Sequence, residues 1–253
     1  MKTIDVKSAN GKNIDVKNKI AELHSTAESW SPQQVLAWAF ETFGNRVAIS
    51  SAFGAEGMAL IDMAFRVRKD FRLFTIDTEF LFPETYSLMD KIEQKYQIKI
   101  ERVFSLLSPD EQERVNGVAL WARDPDQCCN LRKVEPLRRK LTELDAWITS
   151  IRRDQTSFRK GAGKIEWDEK FNLVKVNPIA DWTSKKVWSY LREHDVPYNS
   201  LHDQNYPSIG CTHCTRAVRP GEDPRAGRWP GMGKTECGLH VIQGTGPSSA
   251  ADA

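Results

Sequence analysis

Short β-type runs alternate with amphipathic stretches along most of this chain. Arg46 to Ser50, Phe71 to Ile76, Ile98 to Phe104 and Ala146 to Ile151 read as strands. Ala55 to Arg68 and Pro83 to Tyr96 carry helical periodicity, as does Cys128 to Leu144 apart from Pro136. Ser31-Pro32 marks the start of a further helix, with a capping serine followed by proline at the first helical position. This alternation predicts an α/β fold, a mostly parallel sheet with helices on both faces. At 253 residues with 40% hydrophobic content, one main domain is the natural size.

The sequence divides into three parts: residues 1–25 as an N-terminal extension, 26–209 as the α/β body, and 210–253 as a C-terminal segment of the same domain. In the first part Ile4-Asp5-Val6-Lys7 recurs as Ile14-Asp15-Val16-Lys17 around Asn10-Gly11, which predicts a terminal hairpin or a disordered arm. The last part changes composition: from Gly210 to Gly244 it is rich in Gly, Pro, Cys and Arg and has little periodicity. Something other than a hydrophobic core must hold such a loop-rich segment. The tail beyond Gly244 has the composition of a disordered end.

The formal net charge of +2 gives no global reason to expect nucleic acid or an anionic membrane as partner. No apolar run approaches the ~20 residues of a membrane span, and the first residues do not form a signal peptide. The expected location is the cytoplasm. There a structural disulfide is disfavoured, and the five cysteines point to metal binding or catalysis instead.

Cys128 and Cys129 are adjacent, and Cys211-Thr212-His213-Cys214 forms a C-x-x-C pair. Neighbouring cysteines on one helix diverge and suit a tetrahedral zinc poorly, whereas an iron–sulfur cluster offers separate irons. A cluster is the favoured reading; zinc, a redox disulfide and plain buried thiols stay open. His213 reads as a hydrogen-bonding or solvent-facing residue rather than a ligand. Cys237 is left over in a polar, Gly-flanked stretch between Lys234 and His240, where a thiol has the surroundings of a nucleophile.

In an open α/β sheet the segments after Ser50, Ile76 and Ile151 converge on one pocket. Ser50-Ser51-Ala52-Phe53-Gly54-Ala55-Glu56 suits an anion at a helix N-terminus, or is small for steric reasons alone. Asp77-Thr78-Glu79 serves equally well as a capping turn. Arg152, Arg153 and Arg159 follow one strand, and Arg216, Arg219, Arg225 and Arg228 follow the C-x-x-C pair. Guanidinium groups at this density suit phosphate or sulfate oxygens; a solvated basic face is the bland alternative.

Three segments together resemble the assimilatory adenylyl-sulfate and phosphoadenylyl-sulfate reductases, specifically the iron–sulfur, adenylyl-sulfate branch. They are Cys128-Cys129-Asn130-Leu131-Arg132-Lys133-Val134-Glu135-Pro136-Leu137, the Cys211–Cys214 pair, and Glu236-Cys237-Gly238-Leu239-His240. The resemblance runs from about Ala48 to His240. It implies an adenine nucleotide α-hydrolase-like sheet of PP-loop type, with Ser50, Ser51, Phe53 and Gly54 in a modified pyrophosphate loop. It further implies a [4Fe-4S] cluster on Cys128, Cys129, Cys211 and Cys214. Asp77 and Thr78 match a family motif written Leu-Asp-Thr-Gly, from which Glu79 departs. Lys133 looks like the family's lysine linking cluster and substrate, and Arg152, Arg153 and Arg159 look like its substrate loop. Arg225 and Arg228 look like the pair that approaches the phosphosulfate, and His240 falls in the nucleophile motif as a further substrate residue.

What the similar enzymes imply for activity is reduction of adenylyl sulfate to sulfite and AMP, in sulfate assimilation toward cysteine. Cys237 takes the sulfo group as S-sulfocysteine, and thioredoxin or a similar dithiol protein releases it. Phosphoadenylyl sulfate is the main alternative substrate. An ATP-pyrophosphatase relative would need a Ser-Gly-Gly-x-Asp-Ser type of loop, which Ser50 to Ala55 lacks, and a non-catalytic metal module would leave Cys237 and the arginines without a role. A homo-oligomer stays open.

Overall fold

The computed structural model describes residues 13–240. Its frame is a six-stranded sheet in the order β3-β2-β1-β4-β6-β5. The strands are β1 (Val47–Ser50), β2 (Arg72–Asp77), β3 (Ile100–Phe104), β4 (Ala146–Ile148), β5 (Ile165–Asp168) and β6 (Leu173–Val176). All neighbours run parallel except β5, which pairs antiparallel with β6 at one edge. The mostly parallel sheet expected from the alternation is therefore present, with a β5–β6 hairpin that the pattern did not announce. The chain winds outward from β1 in both directions, so β1 and β4 flank a switch point where the loops leaving their carboxyl ends part and open a crevice.

Side chains alternate between two unequal cores. Val47 and Ile49 of β1, Leu73 of β2 and Ile148 of β4 enter the larger one, with residues of α1 (Asn13–Ala27), α2 (Pro32–Phe43), α3 (Ala55–Val67), α4 (Pro83–Tyr96) and α9 (Ser184–Glu193). Ala48, Phe74 and Trp147 point the other way and meet Leu137 and Leu141 of α8 (Glu135–Leu141). This two-residue period on a sheet covered on both faces fixes the register, because a one-residue slip would exchange the two cores. Helix α2 starts as the sequence predicts: Gln34 N–H donates to Ser31 Oγ at 3.2 Å, and the Gln34 side chain accepts from Ser31 N–H at 2.8 Å.

Two expectations need correction. The second half of the Ile-Asp-Val-Lys repeat is no hairpin strand or loose arm: Ile14 to Lys17 lie in α1, whose Val16 and Ile20 are buried in the larger core. The four-residue spacing of those two side chains places them on one helical face. The first half of the repeat and the tail beyond His240 lie outside the described residues. The expected strand to Ile151 ends at Ile148: Thr149 N–H still reaches Val176 O of β6, but Ile151 N–H turns back to Thr149 Oγ1 at 3.5 Å.

Between β3 and α8 run three short helices, α5 (Pro109–Asn116), α6 (Leu120–Arg123) and α7 (Pro125–Cys129). A π-helical turn, Asn130–Val134, joins α7 to α8 just before Pro136. Proline has no N–H to donate and its ring crowds the carbonyl four residues back, so the wider turn accommodates it within a continuous helical path. Among the described residues no helix is long and apolar enough to cross a membrane.

Candidate active site

Cys128 and Cys129 end α7, while Cys211 precedes and Cys214 ends a single 3-10 turn far along the chain. Two backbone contacts bring them together: Thr212 N–H donates to Phe80 O at 2.8 Å, and Cys211 bridges to Leu81 just beyond β2. All four thiols line one pocket with Phe80, Trp121, Lys133 and Arg132. Each cysteine is buried, and Trp229 packs among them. Among the described residues no group of three or more His, Cys, Asp or Glu side chains has single-ion geometry. His213 stacks face to face on Trp121 with ring centroids 4.6 Å apart and meets Phe80 edge-on at 5.0 Å, so it serves as an aromatic wall.

Burial and the neighbouring thiols push Cys128 and Cys214 up to about 11. Lys133 is partly buried beside the thiols. Burial pulls its pKa down, but the charges of Cys211, Cys237 and Cys129 outweigh that and hold it raised, so the ammonium persists. Arg132 is also buried. Its Nε donates to Gln112 at 2.8 Å, one Nη donates to Glu79 at 2.8 Å, and the other Nη has no partner in the protein. Glu79, the residue at which the chain departs from the resembled Leu-Asp-Thr-Gly motif, has φ at 60°, a left-handed conformation that glycine adopts freely. Its carboxylate forms an ion pair with Arg132. Thr78 Oγ1 lies 3.3 Å from Cys211 Sγ, which puts the β2 loop directly on the thiol group. Asp77, fully buried, accepts from Tyr86 OH at 2.9 Å and from Arg102 Nε at 2.8 Å, so its carboxylate is committed inside the protein.

The other carboxyl-end loops gather near the switch point. Ser51 Oγ accepts from Phe53 N–H at 3.1 Å, fixing a turn in which Phe53 has φ of 56° and is buried. A Cβ at Gly57 would stand 2.5 Å from Ser51 Oγ, so glycine there lets Ser51 keep this turn. Gly54 caps α3 without a side-chain bond, leaving first-turn N–H groups directed outward from its N-terminus, just beyond Ser50 at the end of β1. Arg152 crosses the switch point to Glu56 in the first turn of α3, at 3.0 Å, and also pairs with Asp154. Arg153 reaches Glu28 at 2.6 Å and Ala162 O at 2.7 Å, outside the cysteine pocket.

Cys237 is partly buried against the four-cysteine group. The tail around it is held residue by residue. Arg159 donates to Glu236 at 2.9 Å, Arg225 to Thr235 O at 2.8 Å, and Lys170 to Gly238 O at 2.5 Å. Lys234 pairs with Asp126 and lies 5.6 Å from the Trp229 ring centre. His240 stacks on Trp147 at 5.6 Å; burial, then Lys175 and Arg159, hold its pKa well below the usual value, so the imidazole is neutral. Arg228 lies over Trp229 at 4.5 Å against Gly210, where a Cβ would collide with its guanidinium at 2.3 Å. The sequence thus offered most of the residues assembled here, but gave no role to Arg132, Lys170 or Glu236. Glu236 stood inside a quoted motif; Lys170 carried no signal at all.

The sequence profile of the phosphoadenosine phosphosulfate reductase domain matches residues 46–217, from the edge of β1 past the C-x-x-C pair. The chain belongs to this family. It is 45% identical over 208 residues to the adenosine 5'-phosphosulfate reductase of Shouchella clausii, covering 82% of this chain and 86% of the relative. The phosphoadenylyl-sulfate reductase of Candida auris, solved as a phosphate complex, is 33% identical with a TM-score of 0.71, over 85% of this chain and 100% of that one. An FMN adenylyltransferase of Candida glabrata, 12% identical with a TM-score of 0.56 over 87% of this chain and 74% of that one, shares the fold alone. The reductase's sheet is thus an adenine nucleotide α-hydrolase-like one, as the resemblance implied.

Proposed function

We propose that this reductase converts adenylyl sulfate to sulfite and AMP in assimilatory sulfate reduction, in the cytoplasm, with Cys237 as nucleophile. The observation that carries the reading is the place of Cys237: it is the thiol outside the four-cysteine pocket, partly exposed, and within electrostatic reach of Lys133 and Arg225. A thiolate attacking an anion needs such positive charge to offset repulsion and to stabilise the departing phosphate.

The four-cysteine pocket fits a [4Fe-4S] group by its chemistry. Its thiols are buried, mutually repelling once ionised, and faced by Lys133 and by an unpartnered Nη of Arg132. Metal binding would replace the protons that these thiols otherwise keep. When bound, the cluster would tune local charge and pin residues 210–240 to α7. Cys128, Cys129, Cys211 and Cys214 would hold it, and Thr78 would hydrogen-bond the Cys211 sulfur.

In the first step the Cys237 sulfur attacks the sulfate sulfur, the bond from that sulfur to the bridging oxygen breaks, and AMP leaves with the electron pair. Lys133 and the Arg225–Arg228 side hold the anion and the leaving phosphate. In the second step a thiolate of thioredoxin or a similar dithiol protein attacks Cys237 Sγ and sulfite leaves. The second thiol of that partner then resolves the mixed disulfide, so its two electrons complete the reduction and Cys237 returns to the thiolate.

The Candida auris relative favours one second reading, phosphoadenylyl sulfate as substrate. Sulfite release from adenylyl sulfate and from its 3′-phosphorylated form, measured side by side, separates them. Faster turnover of the unphosphorylated nucleotide is expected; the reverse order would transfer the assignment.

A further inference from the structure

Two arginines that the sequence offers to an anion are already engaged by a carboxylate of this chain. Arg159 Nη2 is 2.9 Å from Glu236 Oε2, and Arg225 Nη2 is 3.6 Å from the same oxygen. Thr156 Oγ1 donates to the other oxygen at 3.1 Å. One carboxylate therefore answers two guanidinium groups. The Arg159 side chain is only 10% exposed, and its Nε is buried with no partner in the protein. Lys170 and Arg225 add further positive charge beside His240, while Lys175 is already paired with Glu166 at 3.2 Å. Glu166 is engaged by Lys175 and Asp168 by backbone N–H groups of its own turn, so Glu236 is the carboxylate that answers these two arginines, in a place that also suits a larger anion.

Glu236 is also the residue before the proposed nucleophile. On the far side of Cys237, Gly238 O is held by Lys170, Leu239 packs on the smaller core and His240 stacks on Trp147. The carboxylate is thus at once the occupant of the arginines and a principal clasp of the docked tail.

We infer that Glu236 is an internal stand-in for the substrate's anion, a positioning residue that holds Arg159, Arg225 and the Cys237 tail together until the phosphosulfate displaces it. This rests on the proposed function and adds to it a role for a residue of the tail. Exchange of carboxylate for phosphosulfate keeps the buried guanidinium groups paired throughout, so the cost of leaving them bare is never incurred. It also frees the thiol from its docked position only when the molecule it attacks has arrived. An internal competitor lowers apparent affinity in proportion to the fraction of molecules in which it is docked.

Glu236→Gln keeps the shape and the Thr156 hydrogen bond but removes the charge. In a Cys237→Ser background, where no adduct forms, calorimetric titration with adenylyl sulfate should show binding about tenfold tighter with Glu236→Gln than without it. With Cys237 intact and no nucleotide, iodoacetamide labelling mapped by peptide mass should modify Cys237 several-fold faster in Glu236→Gln. Thr156→Ala, which loosens the same carboxylate from its other oxygen, should move both readouts the same way by less and guards against a folding defect in the first variant. Faster labelling with unchanged or weaker nucleotide binding would make Glu236 a tail clasp only and overturn the inference. Failure of the Cys237→Ser protein itself to bind adenylyl sulfate would overturn the proposed function, and the inference with it.

Discussion

The sheet body and the segment from Gly210 to His240 are held together by different means. In the body every strand sends alternate side chains into one of two apolar cores, and Ile49, Phe74 and Ile148 are completely buried. The C-terminal segment has no helix longer than the three-residue turn Thr212–Cys214, and its fixed points are Trp229, the thiols and a set of ion pairs. Burial of apolar area is non-directional and robust, whereas polar and thiol contacts depend on each partner being present. The body is thus the frame, and the segment carrying the proposed nucleophile is the part whose order a bound group or ligand can control.

Substitutions at the thiols should break the comparison most sharply. Cys214→Ser or Cys129→Ser is expected to abolish iron binding and sulfite production together while the body melts near its usual temperature. Iron content, activity and a thermal melt on one preparation check this; full activity without iron would remove the pocket from the mechanism. Phe74→Ala should act in the opposite sense, costing the body roughly 3–5 kcal/mol and releasing iron only because the frame fails. Denaturant melts followed by far-ultraviolet circular dichroism and by cluster absorbance would show the two signals lost at one midpoint.

Arg228→Ala tests the segment more gently. Its guanidinium lies on Trp229 with Nε buried, close enough to the pocket to affect the Cys214 and Lys133 charges. Loss of a charge-assisted anion contact is worth roughly 1.5–3 kcal/mol, so kcat/KM should fall about 10- to 100-fold with iron retained. Unchanged kinetics would return Arg228 to a packing role.

The smallest effect is a contrast in pH response. In the body, burial and then Asp77 push Tyr86 from 10.0 up to about 12, and burial with Asp62 raises Tyr96 and Tyr190 likewise. A raised phenol pKa means that this stabilisation is whole below pH 10.0 and is lost as pH climbs through the folded value. In the segment, hydrogen bonds from Arg216 and the Arg219 N–H hold Glu222 down at about 2 from 4.5. That contribution is present above 4.5 and fades as pH falls toward about 2; it is small because the pair is exposed to solvent. Body stability should therefore fall first at the alkaline end, and Tyr190→Phe should lessen that fall. An alkaline limb unaffected by the substitution would contradict the assignment.

The difference between the two regions also explains how far the sequence could be read. The body announced itself because periodicity and capping report burial directly: Ser31, Ala55 to Arg68 and Phe71 to Ile76 all lie where the pattern put them, within a residue or so. Helix α1 was missed because its buried positions, Val16 and Ile20, sit among charged neighbours that mimic a repeat around a turn. The β5–β6 hairpin was missed because Lys175 and Glu166, a buried ion pair inside strands, interrupt the apolar pattern. At the site, cysteine spacing carried most of the signal. Which carboxylate answers which arginine is a matter of long-range placement, and no local pattern pairs Arg159 with Glu236 across 77 residues.

The most direct test of the central claim follows Cys237 through a single turnover. Enzyme mixed with adenylyl sulfate and no reductant should release one equivalent of AMP and gain the mass of one sulfo group, located on Cys237 by peptide mapping. A reduced dithiol protein should then release sulfite and restore the original mass, while Cys237→Ser keeps its iron and forms no adduct. An adduct on another residue, or sulfite made by the Ser variant, would contradict the account.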